Sequence, residues 1–181
     1  MNTITDINSV QIETARLYLK PLTFDQLLLY KDHDMSLAQA LNLIPKYDPV
    51  VKEFVVIIES CNIPYVQHHP ENILFGTLWV IIHKGERVII GDISLKGAPS
   101  DKGLVEVGYG IAADYRQSGY MSEALNAFTN WAFEQPEVQI ILAETDKNNI
   151  ASQKTLIKNR FQPFAETDAN YWWRLDRESI S

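Results

Sequence analysis

Cysteine is almost missing: one residue, Cys61, occurs in 181. A lone thiol excludes an internal disulfide framework, a multi-cysteine zinc site and an iron–sulfur cluster. Within its apolar stretch Cys61 is expected to be a small buried hydrophobe. Long apolar runs are missing too. The richest, Leu74–Ile82, stops at His83 and Lys84, well short of the roughly 20 residues that a membrane-spanning helix needs. The first ten residues include Asp6 and carry no apolar core of signal-peptide length. Glycine and proline, eight of each, are too few for a collagen-like or low-complexity chain. Basic residues are outnumbered, 16 Lys+Arg against 23 Asp+Glu, for a net charge of −7. Such a surface repels phosphate backbones, so nucleic acid is not expected as a partner. The histidines, His33, His68, His69 and His83, are scattered without ligand spacing, so no metal is expected. Together these absences describe a soluble, cytoplasmic protein with no membrane partner.

What is present is ordinary for a folded chain: 46% apolar and 22% charged residues, enough to exclude wholesale disorder. The length suits a single domain, 1–181, with residues 1–11 as a loose leader. Alternation predicts a first strand over Arg16–Pro21, then short helices over Phe24–Tyr30 and Ser36–Leu43. Val51, Phe54, Val55, Ile58 and Cys61 recur at helical spacing, and Pro64 is expected to end that helix. Strands over Leu74–His83, Arg87–Leu95 and Leu104–Ile111 then form a meander, the first two joined by the turn Lys84-Gly85-Glu86. A helix over Gly119–Phe133, a strand over Ile140–Thr145, a helix over Ile150–Asn159 and strands over Gln162–Glu166 and Tyr171–Leu175 complete the order. The strand–helix–strand unit from Leu104 to Thr145 implies a crossover, hence a mixed sheet in an α/β (α+β) domain.

The chemistry is concentrated between the third meander strand and the helix after it, at Arg116-Gln117-Ser118-Gly119-Tyr120-Met121-Ser122. Gly119 lets backbone approach a ligand closely. The helix N-terminus offers unpaired N–H groups and a favourable dipole, and Arg116 supplies local positive charge. That is an anion site set against the net charge of the protein. It is not a P-loop, a dinucleotide fingerprint, a nucleophile elbow or a zincin helix, because none of those motifs occurs.

Arg116–Met121 fits the pattern R/Q-x-x-G-x-G/A. With Glu106-Val107-Gly108-Tyr109 before it and Ser122-Glu123-Ala124-Leu125 after it, the segment resembles the pyrophosphate loop of the GNAT superfamily of acetyl-coenzyme A-dependent N-acetyltransferases. Asn149-Ile150-Ala151-Ser152, opening a helix that ends in Lys158-Asn159-Arg160-Phe161, extends the likeness. Glu13–Pro21 is similar to a "T-x-R-L-x-L-R-P" first strand, and Gly91-Asp92-Ile93-Ser94-Leu95 to a "G-x-I-x-L" third strand, both of the RimJ/RimL-like branch of ribosomal-protein-alanine acetyltransferases. The resemblance runs from Ile12 to Leu175. It departs at Met121, where the motif has a small residue, and at Arg160, where the "K-x-G-F" ending has glycine. It also departs at Ile157, where many members carry a tyrosine general acid.

The resemblance implies a single-domain GNAT fold, a mixed and mostly antiparallel sheet splayed between the fourth and fifth strands of that order. It implies acetyl-coenzyme A as cosubstrate, with pantetheine along the backbone of Gly110, Ile111 and Ala112. The pyrophosphate would lie on the amides of Gln117, Ser118, Gly119, Tyr120 and Met121, with Arg116 and Ser122 beside it. Asn149 would hydrogen-bond pantetheine and Ser152 would stand near the departing sulfur; helix capping is the other reading of this pair. Glu106 is the candidate base or water-orienting group, a solvated strand carboxylate being its alternative. An α-amine of pKa near 8 is about one-tenth neutral at pH 7, whereas a lysine amine is neutral in about one molecule in 2,500. The implied acceptor is a primary amine, either a protein N-terminus or a small molecule, and dimers built on sheet edges or C-terminal strands occur in the family, which admits a homodimer. Two further readings stand beside this one: a non-catalytic acyl-coenzyme A-binding or sensing protein of the same fold, and a different phosphate-ligand binder sharing the strand–loop–helix geometry.

Overall fold

The computed structural model describes residues 6–46 and 52–180. Eight strands form one sheet in the order β1-β2-β3-β4-β5-β6-β8-β7. They are β1 (Ile12–Glu13), β2 (Leu17–Pro21), β3 (Trp79–His83), β4 (Val88–Leu95), β5 (Leu104–Ile111), β6 (Ile140–Asp146), β7 (Gln162–Glu166) and β8 (Asn170–Asp176). The β5–β6 pairing is parallel and the others are antiparallel. The fold class therefore agrees with the GNAT-type architecture expected from the sequence, strand by strand from β2 onward.

Both faces of the sheet are covered, and β3 shows why its sequence is an unbroken apolar run. Trp79 and Ile81 enter one core; Leu78, Val80 and Ile82 enter the other. Successive side chains of a strand point to opposite faces, so burying both faces requires apolar residues at every position. The first core lies under α6 (Tyr120–Glu134) and α7 (Ile150–Lys158). Met121, Ala124, Leu125, Phe128 and Ala132 fill it from one stripe of α6, each larger side chain worth roughly 1.5–3 kcal/mol when removed from water. The second core lies under α1 (Phe24–Lys31), α2 (Ser36–Ala40), α3 (Lys52–Ile57) and α4 (Ile63–His68), with a short α5 (Ile73–Gly76) leading into β3.

Four sequence expectations are corrected. Of the expected loose leader 1–11, residues 1–5 lie outside the described residues, and 6–11 are held by a turn over Ile7–Ser9, capped by Asp6, that leads into β1, which pairs with β2. The strand expected from Leu74 begins at Trp79, because α5 occupies the start of that apolar run, which has no periodicity to separate helix from strand. Pro64 does not end its helix. A π-turn over Ile58–Asn62 widens the helix just before the proline, with Ile63 N–H bonded to Ile58 O. Widening there relieves the missing N–H and the ring clash that proline brings. The inserted residue also rotates the buried stripe to Ile58, Asn62 and Val66, which leaves Cys61 exposed. Val51, part of the expected stripe, lies outside the described residues.

Candidate active site

The central feature is a split between β5 and β6. Their parallel register runs only from Leu104–Ile140 to Glu106–Leu142, although both strands continue. On its other side β5 stays paired to β4 through Ile111. Lys96 N–H bonds Glu106 O at 2.9 Å and Ala112 N–H bonds Ile90 O at 2.8 Å, which sets the phase of that ladder on even-numbered residues. Antiparallel strands alternate, so the backbone groups of Val107, Tyr109 and Ile111 face the split. Of the three residues assigned to pantetheine, Ile111 therefore presents its backbone to the split, while the Ala112 amide is held by Ile90. Gly110 lies opposite Asp92 on β4. The strands come together closely here: a Cβ at Gly91 would stand 2.3 Å from the Gly110 carbonyl oxygen.

From the split the chain enters the turn Ala113–Tyr115 and then the loop Arg116–Gly119. Gln117 and Gly119 both adopt left-handed backbone, φ 61° and 79°, a conformation that is free for glycine and costs other residues about 1–2 kcal/mol. Gly119 is the N-cap of α6 and has no side chain to satisfy the first-turn amides. A 15-residue helix thus aims its uncapped N-terminus and the positive end of its dipole at the mouth of the split. Backbone donors of that kind fit a pyrophosphate. Arg116 is exposed beside them, its Nε 3.4 Å from Ile111 O. Met121, the departure from the motif, turns its side chain into the core. Ser122 accepts a hydrogen bond from Asn159 Nδ2 at 3.1 Å, which ties α6 to the end of α7.

The loop is braced by the turn between β1 and β2. Arg16 bonds Glu123 Oε2 through Nε at 2.6 Å and the Ser118 carbonyl through a guanidinium nitrogen at 3.0 Å, and it lies 4.2 Å over the Tyr120 ring. Thr14 Oγ1 and the Arg16 backbone N–H add bonds to Glu123 Oε1 at 2.6 and 2.9 Å. Burial alone would raise the Glu123 carboxyl, but these hydrogen bonds and the guanidinium charge outweigh it and hold the group below its ordinary value.

On the other side of β4 and β5 is a cavity of about 970 Å³, reached by Gly108–Ala113 and Arg116 and walled by α1–α4 residues such as Leu29, Leu37, Phe54 and Ile57. Asp92 lies in it, 8% exposed, and accepts a hydrogen bond from Tyr30 Oη at 2.9 Å. Burial pushes its carboxyl up to about 7, against the lowering effect of the Tyr30 bond. Glu106 sits differently. It marks the closed end of the split, its carboxylate is ion-paired with Lys96, and Lys96 rather than Glu106 reaches the cavity lining.

Across the split, Asn149 caps α7 by accepting from Ser152 N–H at 3.1 Å. Ser152 Oγ is 2.9 Å from Tyr109 Oη, so a hydroxyl pair bridges β5 and α7. Burial, partly offset by Ser152, pushes the Tyr109 phenol up to about 12. Ile157 is exposed on α7. Arg160 takes up the glycine's left-handed conformation itself, φ 67°, with Phe161 N–H bonded to Leu156 O and Arg160 N–H to Ile157 O. This is a Schellman ending built without glycine.

The structure thus gathers Arg116–Ser122 and Ile111 at one end of the split, with Tyr109 on the same strand bonded to Ser152, and Asn149 beside Ser152, on the other side. Sequence reading missed Asp92, Tyr30, Thr14 and Arg16 as site residues. An aspartate inside the apolar strand Ile89–Leu95 was the available signal for the first, since a charge at an inward position contradicts its surroundings. Nothing local marks Tyr30, whose partner is 62 residues away.

Comparison with known proteins gives a consistent result. The family model described as an acetyltransferase (GNAT) domain matches residues 16–162. YjdG of Bacillus subtilis, an uncharacterized N-acetyltransferase, is 35% identical over 83 residues, which is 46% of this chain and 49% of that protein. The chain thus spans about half the length of that curated relative. Among solved structures, the ribosomal-protein-S5-alanine acetyltransferase of Vibrio fischeri superposes with a TM-score of 0.68 at 16% identity, covering 96% of this chain and 100% of that one. RimL, a ribosomal L7/L12 alpha-N-protein acetyltransferase in complex with coenzyme A, gives 0.66 at 14% identity, covering 92% and 98%. At these identities the structural likeness is one of fold. Among the described residues no helix is long and apolar enough to cross a membrane.

Proposed function

This chain belongs to the acetyltransferase (GNAT) family, and on that premise we propose that it moves an acetyl group from acetyl-coenzyme A directly to a primary amine, without a covalent enzyme intermediate. The observation that carries the reading is the split itself: a strand whose outward backbone groups have lost their neighbour leads straight to an uncapped helix N-terminus. The backbone of Ile111 and Tyr109 holds pantetheine as a neighbouring strand would. The amides of Gln117 to Ser122, with Arg116, hold the pyrophosphate. Asn149 closes the far side of the split.

The residues of β5 also supply the electrostatic part of catalysis. A backbone N–H fixed in a ladder and aimed at a carbonyl oxygen stabilises negative charge there without reorganising, commonly the largest catalytic contribution. Tyr109 and Ser152 stand where the thiolate departs. With its phenol near 12, Tyr109 holds its proton far more tightly than a thiol of ordinary pKa near 8.5. It acts by hydrogen bonding to the thiolate, directly or through Ser152, rather than by giving up its proton. Cys61, exposed on the cavity wall, has no part in this chemistry.

The test is a thermal-shift titration with acetyl-coenzyme A, coenzyme A and ATP, on the wild type and on Gly119→Trp. A ligand at about 100 times its Kd adds about 2.7 kcal/mol, which for a chain of this size raises Tm by about 5–10 °C. The expected result is a shift with both coenzyme forms, none with ATP, and none in the variant. No shift with coenzyme at saturating concentration would sink the reading.

A further inference from the structure

We infer that Asp92 receives the ammonium group of the acceptor and takes its proton, and that the acceptor carries this amine on an apolar body. The inference rests on the transferase reading above and deepens it.

Three observations converge. The cavity that holds Asp92 is continuous with the cofactor strand, since Gly108, Gly110 and Ile111 line it, and Asp92 is the residue opposite Gly110 across the β4–β5 ladder. An amine that reaches β5 through this cavity passes Asp92. Second, Asp92 is the one buried carboxyl group among the described residues. An ammonium entering an apolar cavity loses its hydration and needs a buried countercharge in its place. Third, among the described residues the lysines that line the cavity are engaged elsewhere, Lys46 with Asp114 and Lys96 with Glu106, while Arg116 points to the Ile111 carbonyl. Among the described residues, the hydrogen bond to Asp92 comes from Tyr30, a neutral donor. The other titratable lining groups among the described residues are His33, itself engaged in an interaction, and Asp34 on the turn after α1, Cys61 and Tyr65 on the π-turn and α4, and Tyr109 on β5.

The walls set the acceptor class. Leu29, Leu37, Phe54 and Ile57 line the same cavity as Asp92, and the other carboxylate on its described lining, Asp34, is exposed on the turn after α1, so a second charge held against those four apolar side chains would have no partner. A single amine on an aliphatic or aromatic body fits; a polyamine does not. In the reaction, one proton passes from the ammonium to the Asp92 carboxylate, and the freed lone pair forms the C–N bond as the C–S bond breaks. The second proton leaves with the thiolate as thiol, and the third stays on the amide. Asp92 then returns its proton to solvent. A carboxyl group held near 7 by burial is well placed for this at neutral pH.

The experiment is steady-state acetylation by the intact protein, from pH 5.5 to 9, of leucinamide, 2-phenylethylamine and spermidine. It compares wild type, Asp92→Asn, Tyr30→Phe and Glu106→Gln, with an acetyl-coenzyme A thermal shift run on each. The apolar monoamines are expected to be used with a kcat/KM at least tenfold above that of spermidine. Asp92→Asn is expected to lower it by about 10²–10⁴-fold and to replace the ascending limb of the wild type by one that follows deprotonation of the acceptor amine itself, with the coenzyme shift retained. Tyr30→Phe removes a bond that favours the carboxylate, so its ascending limb moves to higher pH; this readout stands even if Asp92→Asn folds poorly. Glu106→Gln keeps the limb. A wild-type pH profile in both Asp92→Asn and Tyr30→Phe, or loss of the limb in Glu106→Gln alone, would overturn the base assignment while leaving the transferase intact. A preference for spermidine would overturn the apolar acceptor. Absence of any coenzyme shift in the wild type would remove the transferase reading itself, and this inference with it.

Discussion

Arg16 and Glu123, 107 residues apart in the chain, meet at 2.6 Å between Nε and Oε2. The contact joins the "T-x-R-L" segment, at the turn between β1 and β2, to the first turn of α6. Arg16 also holds the Ser118 carbonyl and covers Tyr120, so one side chain braces the carbonyl, ring and carboxylate around the anion loop. Two stretches that look like separate sequence motifs are therefore halves of one structure.

Removing that brace is expected to weaken coenzyme binding without touching a ligand-facing group. Arg16 is partly exposed, so its ion pair by itself is worth little. The cost comes from freeing Ser118 and Tyr120, which orient the loop amides. Arg16→Ala is expected to raise the Kd for coenzyme A by about tenfold, or about 1.4 kcal/mol, measured by isothermal titration calorimetry. An unchanged Kd would show that the loop keeps its shape alone.

Glu123 gives a pH signature with a defined sign. Its folded carboxyl lies below the ordinary value, so the stability it contributes is present above the unfolded pKa and is lost as pH falls through the folded one. Glu123→Gln should therefore have a lower Tm than wild type at pH 7, with the gap narrowing steadily on acidification below about pH 4.3, the ordinary glutamate value. A gap independent of pH would mean that the carboxylate's charge is not what binds Thr14 and Arg16.

Gly91 tests how closely β4 must approach β5. A methyl group there would stand 2.3 Å from the Gly110 oxygen and 3.1 Å from the Ile111 Cα, both backbone atoms of the cofactor strand. Neither can swing aside, so the strands must separate. Gly91→Ala is expected to cost about 1–3 kcal/mol, a Tm loss on the order of 2–12 °C, together with weaker coenzyme binding. Differential scanning calorimetry with and without coenzyme A measures both. Retention of wild-type Tm would show that the ladder yields there at no cost.

Arg160 points in the opposite direction, toward a stabilising change. It is exposed, it holds φ 67°, and its turn closes through backbone bonds alone. Glycine adopts that conformation without strain. Arg160→Gly is expected to raise stability by about 0.5–1 kcal/mol, the left-handed strain relieved less the added freedom of the unfolded chain. Denaturant titration should move the midpoint up with an unchanged slope. A lower midpoint would mean that the arginine side chain contributes more than its backbone costs.

Much of this fold is legible in the sequence. The stripe Met121, Ala124, Leu125 and Phe128 located α6, because a buried helix face must repeat at 3.6 residues. The strand Leu104–Ile111 carries the same bounds in sequence and structure. The start of β3 was not legible, since both its faces and the preceding α5 are apolar and the run has no period. Nor was the π-turn, whose one extra residue shifts Cys61 off the buried stripe.

For the site the division follows the range of the forces involved. By itself the sequence determined the order of elements and the anion loop, because periodicity, proline and glycine, and the placement of Gly119 before a helix act over a few residues. Only the tertiary structure decided which strand edge is left open, since the phase of the β4–β5 ladder depends on pairing across the sheet. It also joined Arg16 to Glu123, bridged Tyr109 to Ser152, and placed Asp92 in an apolar cavity beneath Tyr30. Burial, and the carboxyl shifted to about 7 that follows from it, arises from what packs around a residue, and Tyr30 lies 62 positions from Asp92.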